Sequence, residues 1–150
     1  MGDLERLISD SPVPVVVKGC LRAQDAVRLV KAGVAGITVP NHGGRVLDTT
    51  PAPITRLAEI VHAVDGAASI FVDGGIRRGS DIFKALALGA EAVLVGRPVM
   101  HGMAVDGARG ASQVLRRLRD EIEVTMALCG CATIADITDD MLTEFTGTGS

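Results

Sequence analysis

The stretch SIFVDGGIRRG at residues 69–79 decides the fold, because a short Val/Ile-rich run ends abruptly in an aspartate, two glycines and two arginines. Three further runs share this form: VVVKG at 15–19, GITVPNHGGR at 36–45 and AVLVGRP at 92–98. Each run is too short for a helix and is followed by the apolar spacing of one, which is the pattern of consecutive β-α units in a parallel sheet. We therefore predict four parallel strands with flanking helices.

Side chains able to do chemistry follow these strands where the strands end. They are Lys18, His42, Arg45, Asp73, Arg77 and Arg97. In a (β/α)8 barrel, the rim at the carboxyl ends of the strands carries the active site. Such a barrel needs roughly 250 residues, whereas this chain has 150 and four strand-helix units. The predicted fold class is therefore α/β, half of a TIM (β/α)8 barrel, in one domain over residues 1–150 with a flexible tail at 146–150.

Apolar spacing places the elements along the chain. Strands are predicted at about 14–18 and 36–40, and helices at about 23–32, 53–64 and 108–128. A further helix is predicted to open near Ser80-Asp81. The predicted inward face of the sheet consists of Val15, Val17, Val39, Ile70, Val72 and Val93. Because half a barrel leaves two sheet edges unpaired and this face in contact with water, we expect an amino-terminal half-barrel or self-association to cover them.

Composition and charge exclude several classes of function. The formal net charge is −3 and the basic residues stand singly, which argues against a nucleic-acid or anionic-membrane surface. No apolar run approaches the length of a membrane span, and the start MGDLERL lacks the regions of a signal peptide, so we predict a cytoplasmic protein. The cysteines, including the C-x-C of Cys129 and Cys131, lack the spaced pairs of a zinc site; we predict buried or incidental thiols and no metal.

The third and fourth strand ends are predicted to hold a phosphate group. Glycines there, Gly74, Gly75 and Gly96, allow close approach of the backbone, and a helix start offers unpaired N–H groups. Arg77 and Arg97 supply bidentate positive charge. In (β/α)8 barrels a phosphate site frequently follows strands seven and eight, so the chain is predicted to be the carboxyl-terminal half. The alternative is that the glycines only make tight turns and the arginines are solvated.

The second strand end offers a candidate base. His42 lies between an asparagine and two glycines, which leave its imidazole little covered, and imidazole accepts protons near neutral pH. Arg45 can bind a carboxylate through two parallel hydrogen bonds from its guanidinium group. Lys18 lies at the end of an apolar strand, where its charge needs an anionic or electron-rich partner. A loop histidine taken alone is more often a surface residue, but the shared rim favours a catalytic role. His62 is predicted to be a helix-surface residue and His101 a turn residue, neither with a function.

Together these motifs resemble a known family. From about Asp3 to Asp136 the chain is similar to the carboxyl-terminal half of the FMN-dependent 2-hydroxy acid oxidases and dehydrogenases. The motifs that carry this resemblance are, in this order and spacing, VVVKG, V-x-NHGGR, VDGGIRRGSDIFKALALGA and VGRP. The resemblance implies FMN as cofactor, a small 2-hydroxy acid as substrate and a 2-oxo acid as product. It implies catalytic roles for His42, as the proton-accepting base, and Lys18, at the flavin N1/O2 edge, with Arg45 on the substrate carboxylate. The implied cofactor-binding residues are Lys18, Asp73, Gly74, Gly75, Arg77, Gly96 and Arg97, with Asp73 on the ribityl chain and the last four residues around the phosphate.

Two departures from the family pattern bear on activity. Pro40 stands where the family usually has a serine whose hydroxyl reaches the flavin. The family's first four strands supply substrate tyrosines, a second arginine and the aspartate that orients the histidine, and this chain has no tyrosine. Three hypotheses stay open: an oxidoreductase that needs the other half-barrel, a non-catalytic FMN- or phosphate-binding half-barrel, and an inactive fragment of such an enzyme.

Overall fold

A computed structural model describes residues 1–143 as one four-stranded sheet with helices between successive strands. The strands are β1 (Val16–Lys18), β2 (Gly36–Pro40), β3 (Ser69–Asp73) and β4 (Ala92–Leu94). The helices are α1 (Gly2–Asp10), α2 (Ala23–Lys31), α3 (Ile54–Val64), α4 (Gly79–Ala87) and α5 (Arg97–Cys129), and short 3-10 turns cover His42–Gly44, Ile134–Asp136 and Asp139–Met141. The predicted tail at 146–150 lies outside the described residues.

The sheet is parallel throughout, in the order β1-β2-β3-β4, as predicted. In its register Lys18 lies opposite Thr38, Pro40 opposite Asp73, and Asp73 opposite Leu94. The strands therefore end along one edge, and the loops that follow them meet there. Within residues 1–143, β1 and β4 each pair with one strand only, so both outer edges are open, as half a barrel requires.

The prediction of which side chains line the inward face is wrong. Val39, Ile70 and Val72 are buried in the main core with Leu57 and Ile60 of α3, on the helix-covered side of the sheet. Val17 and Val93, also predicted for the inward face, pack against the same core. Val15 lies two residues before Val17 and therefore on the same side of the chain. Alternation along a strand shows that neighbours face opposite sides, but it does not show which side the helices cover.

The opposite face of the sheet is the concave one. It carries Val16, Lys18, Thr38, Phe71 and Asp73, which alternate with the core side chains. The Phe71 ring lies over Gly36, where an added Cβ would be 3.0 Å from the ring. The candidate side chains Lys18 and Asp73 therefore project from the uncovered face, away from the core.

Most predicted elements are confirmed to within about two residues. The sequence analysis missed α1, whose Leu4 and Ile8 pack against the main core. It also missed the first part of α5, which bends at Asp106 and Gly107 before the predicted long helix begins. His101 lies in that first part, so its prediction as a turn residue is wrong.

A second core joins α4 to α5 and to the chain after it. Phe83, Ala87, Cys131 and Ile137 are buried in it, and burial raises the pKa of the Cys131 thiol. Gly79 lies where the two helices touch, because an added Cβ would be 2.2 Å from the backbone nitrogen of Ile122. Among residues 1–143 no cluster of three metal-ligating side chains occurs. No helix in this range is long and apolar enough to cross a membrane.

Candidate active site

A cavity of about 590 Å³ opens at the carboxyl edge of the sheet. Every candidate residue lines it: Lys18, His42, Arg45, Asp73, Gly74, Gly75, Arg77, Gly96 and Arg97. Four separate β-α connections contribute, so the cavity exists only because the parallel strands end together. A larger surface groove of about 800 Å³ between α4 and α5 contains none of these residues.

Lys18 and Asp73 form an ion pair across the end of β2. The Lys18 Nζ atom lies 2.5 Å from the Asp73 Oδ2 atom, with 46% and 21% of the side chains exposed. At this exposure the pair stabilises the fold by at most about 1 kcal/mol, so its main effect is to orient both groups towards the cavity. The sequence analysis treated these residues separately, because only the strand register shows that they are neighbours.

The cavity carries an excess of positive charge. Asp73 is the one carboxylate among the residues that line it. Within residues 1–143, Arg45, Arg77 and Arg97 form no ion pair. Three guanidinium groups facing one cavity without carboxylate partners favour an anionic ligand with more than one negative group.

A tight turn presents His42 to the cavity. His42 has φ 51°, in the left-handed region that only a constrained non-glycine residue adopts, and it is exposed. The Asn41 side chain stabilises the turn by accepting a hydrogen bond from the Gly43 N–H at 3.1 Å. Gly74 makes room for this contact, since a Cβ there would lie 2.8 Å from the Asn41 Oδ1 atom. The sequence analysis did not assign Asn41 this role, although asparagine before a glycine pair is a typical signal of such a turn.

Arg97 connects the His42 turn with the glycine-rich end of β4. An added Cβ at Gly43 would lie 3.2 Å from the Arg97 Nη2 atom, so the guanidinium packs directly on the backbone of the residue after His42. The two motifs are more than fifty positions apart in the sequence. The turn that carries the candidate base and the arginine of the candidate phosphate site are therefore in contact.

Three of the backbone N–H groups at the start of α4 are not free, contrary to the prediction for the phosphate site. The Asp81 Oδ2 atom accepts from the backbone N–H of both Arg77 and Arg78, each at 2.9 Å. The Glu121 Oε2 atom accepts from the Gly79 N–H at 2.8 Å. This part of the prediction is wrong, because carboxylates distant in the chain or inside the helix already occupy these donors.

The start of α5 keeps open donors instead. The Met100 N–H already bonds the Gly96 carbonyl at 3.1 Å, and Pro98 has no N–H. Among residues 1–143, the backbone N–H groups of Arg97 and Val99 have no backbone partner. An added Cβ at Gly75 or at Gly96 would meet nothing within 4 Å, so the backbone at both positions borders open space. This arrangement favours the start of α5, between these glycines, as the place for an anion.

Comparison with known proteins gives one family throughout. The family described as FMN-dependent dehydrogenase matches residues 1–144. An L-lactate oxidase of Roseobacter sp. (strain GAI101) is 77% identical over 148 residues, which are 99% of this chain and 40% of that protein. A peroxisomal (S)-2-hydroxyacid oxidase of Arabidopsis thaliana is 54% identical over 136 residues, covering 91% of this chain and 38% of that protein.

Solved structures agree with the sequence comparisons. A mandelate oxidase with benzoyl-formic acid superposes with a TM-score of 0.88 at 47% identity, over 92% of this chain and 41% of that one. A mandelate oxidase variant with a monooxide FMN adduct gives the same TM-score and identity over 44% of its length. The predicted TIM-barrel half is confirmed by this superposition. The chain spans about 40% of the length of the curated relatives that it matches.

Proposed function

The chain belongs to the family of FMN-dependent dehydrogenases, and on that premise we propose that it forms the FMN-phosphate site and carries the proton-accepting histidine of a 2-hydroxy acid oxidase or dehydrogenase. One observation carries the proposal. All the side chains that the family resemblance implies line a single cavity that is rich in unpaired positive charge. The relatives whose names specify a substrate or product act on small 2-hydroxy acids, which supports that substrate class.

The residues of the cavity fit FMN in size and in chemistry. A volume of about 590 Å³ is in the range of cofactor sites. Arg77, Arg97 and the open backbone at Gly96 suit a phosphate dianion. Asp73 suits a ribityl hydroxyl as hydrogen-bond acceptor, and Lys18 suits the polar edge of the isoalloxazine ring. When bound, FMN supplies the two-electron acceptor that no side chain provides.

The side chains that act on the substrate lie on the loop after β2. Arg45 would bind the substrate carboxylate through its planar guanidinium, and this fixes the orientation of the hydroxyl-bearing carbon. An imidazole nitrogen of His42 would then accept the proton that leaves the 2-hydroxy acid. Lys18 would stabilise negative charge that develops on the acceptor side of the cavity. The 2-oxo acid is the product when the 2-hydroxy acid loses two protons and two electrons; one proton would go to His42, and the electron pair with the second proton to FMN.

Assembly with further barrel structure is part of the proposal. Val16 and Leu94, on the concave sides of the two edge strands, are 47% and 38% exposed. Exposed apolar side chains beside unpaired strand edges favour association with an amino-terminal half-barrel or with a second copy. Sedimentation equilibrium tests this point, and a compact, cooperatively unfolding monomer without a partner would contradict it.

The test of the function separates cofactor binding from chemistry. The purified protein, with and without an amino-terminal half-barrel, is titrated with FMN and then mixed anaerobically with lactate, glycolate or mandelate. We expect FMN to bind and its yellow absorbance to bleach, and His42→Ala to slow bleaching by roughly 10²- to 10⁴-fold while FMN stays bound. His62→Ala, an exposed helix histidine outside the cavity, is the matched control.

Each result has a defined meaning. FMN binding without bleaching under any condition would favour a non-catalytic FMN-binding half-barrel. Absence of FMN binding in every assembly would favour an inactive fragment. Equal bleaching rates for His42→Ala and the unmodified protein would place the base elsewhere.

A further inference from the structure

We propose that His101, the fifth residue of α5, is an additional ligand of the FMN phosphate, contacting it through a protonated imidazole. The inference rests on the proposed FMN site and adds a residue to it. His101 has no role in the family motifs quoted above. It belongs to the first part of α5, which only the folded structure makes visible.

Position is the first support. His101 lines the same cavity as Arg77, Gly96 and Arg97. It lies four residues after Arg97 on α5, so both side chains share one face of the helix. Side chains on an α-helix lean towards its amino terminus, so the imidazole covers the turn in which the open N–H groups lie.

The supply of hydrogen-bond donors is the second support. A phosphate dianion has three oxygens and accepts many hydrogen bonds. The start of α4 contributes little, because Asp81 and Glu121 occupy its donors. The start of α5 lacks one donor at Pro98 and uses another, the Met100 N–H, for its own first hydrogen bond. Several backbone donors near the site are thus already used, while within residues 1–143 the N–H groups of Arg97 and Val99 stay open. Side chains can supply the remaining contacts, and the His101 ring is a side-chain donor that lines the same cavity.

The surroundings of the ring are the third support. His101 is exposed, and among residues 1–143 its ring makes no hydrogen bond and no ion pair. The charged groups that share its cavities are Lys18, His42, Arg45, Asp73, Arg77, Arg97 and Arg117. A phosphate dianion in contact with an imidazole favours the charged form of the ring. Phosphate binding and protonation of His101 are therefore linked.

The experiment compares FMN with riboflavin, which lacks the phosphate. Dissociation constants of both are measured at pH 7 for the unmodified apoprotein, for His101→Gln and for the surface control His62→Gln, in the assembly that binds flavin. We expect His101→Gln to weaken FMN about 3- to 10-fold relative to riboflavin, between the usual effects of an exposed ion pair and of a buried charge-assisted hydrogen bond. His62→Gln should leave the ratio unchanged.

The pH dependence isolates the imidazole. Between pH 7 and pH 8.5 the phosphate is mostly the dianion, since its second pKa is about 6. Of the side-chain types that line the cavity, histidine is the one whose usual pKa lies closest to this range. The preference for FMN over riboflavin should fall across this range in the unmodified protein and in His42→Gln, and should be flat in His101→Gln. Nitrogen NMR of labelled histidine gives a direct readout: the His101 ring should become protonated when FMN binds at pH 7, and not when riboflavin binds.

The outcomes distinguish this proposal from the proposed function. A preference for FMN that His101→Gln leaves unchanged at both pH values would overturn the role of His101 and leave the phosphate site standing. Equal affinities for FMN and riboflavin in the unmodified protein would overturn the phosphate site and this proposal with it. A pH dependence lost in His42→Gln and kept in His101→Gln would assign the effect to His42.

Discussion

Replacing Gly43 with alanine tests the contact between the His42 turn and Arg97. Gly43 has φ +68°, and an alanine in the left-handed region costs about 1–2 kcal/mol. Its Cβ would also lie 3.2 Å from the Arg97 Nη2 atom, so the guanidinium must move. A shift of a few tenths of an ångström weakens, without removing, the charge-assisted contact that we propose between Arg97 and the phosphate. Such a contact contributes about 1.5–3 kcal/mol in full.

Gly44 provides the matched control on the same turn. Its φ of +72° gives alanine nearly the same backbone strain, but an added Cβ meets nothing within 4 Å. The strain common to the two variants acts on the same turn, so the difference between their flavin affinities reports the contact with Arg97. We expect Gly43→Ala to weaken FMN binding about 3- to 10-fold more than Gly44→Ala does, since losing part of a contact of about 1.5–3 kcal/mol is worth about 0.7–1.4 kcal/mol and 1.4 kcal/mol corresponds to a factor of ten.

The assay measures FMN and riboflavin dissociation constants by flavin fluorescence, with urea unfolding as the check on global stability. In an Arg97→Ala background the difference between the two alanine variants should disappear, because no guanidinium remains to be displaced. Equal weakening by Gly43→Ala and Gly44→Ala in the unmodified background would refute the proposed contact. So would a difference that persists without Arg97, since the effect would then come from the backbone alone.

Three further predictions concern packing, the ion pair and acid stability. Gly79→Ala should lower the free energy of unfolding by about 1–3 kcal/mol or prevent folding, because its Cβ would overlap the α5 backbone at Glu121; an unchanged urea midpoint would contradict the packing of α4 on α5. Lys18→Met should change the free energy of unfolding by less than about 1 kcal/mol while slowing flavin reduction, so a large stability loss would argue against a site role. Hydrogen bonds from the Thr133 backbone and side chain lower the pKa of Asp136. The ionised carboxylate therefore stabilises the fold above its unfolded pKa near 3.8, and this stabilisation is lost as the pH falls through the folded pKa. Asp136→Asn should remove this part of the acid sensitivity, measured by circular dichroism.

The candidate site was largely predictable from the sequence, and the reason is topological. In a run of parallel β-α units every strand ends at the same edge, so a residue that follows a strand reaches the rim whatever the helices do. That is why Lys18, His42, Asp73 and Arg97, from four different units, line one cavity as predicted. The glycine-rich loops were recognisable for the same reason, since their composition is local.

Other features depend on contacts that no local pattern records. The face of the sheet that the helices cover was predicted wrongly, because period-two alternation is the same on both faces. The donors at the start of α4 were predicted to be free, but Glu121 reaches Gly79 from 42 residues away. A cap supplied by another helix depends on where α5 packs. The amphipathic pattern of a helix predicts that one of its faces is buried, but not which element it packs against.

The sequence by itself determined the order of the β-α units, the strand ends and the residue types placed there, because strands and turns follow from local periodicity and from glycine. Only the tertiary structure decided how those residues combine. It pairs Lys18 with Asp73 across β2 and sets Arg97 against Gly43. It also brings His101 to the same cavity, in the first part of α5, which was not predicted from the sequence. These are distances between segments far apart in the chain, and they are fixed by register and helix packing, which arise only when the whole sheet has formed.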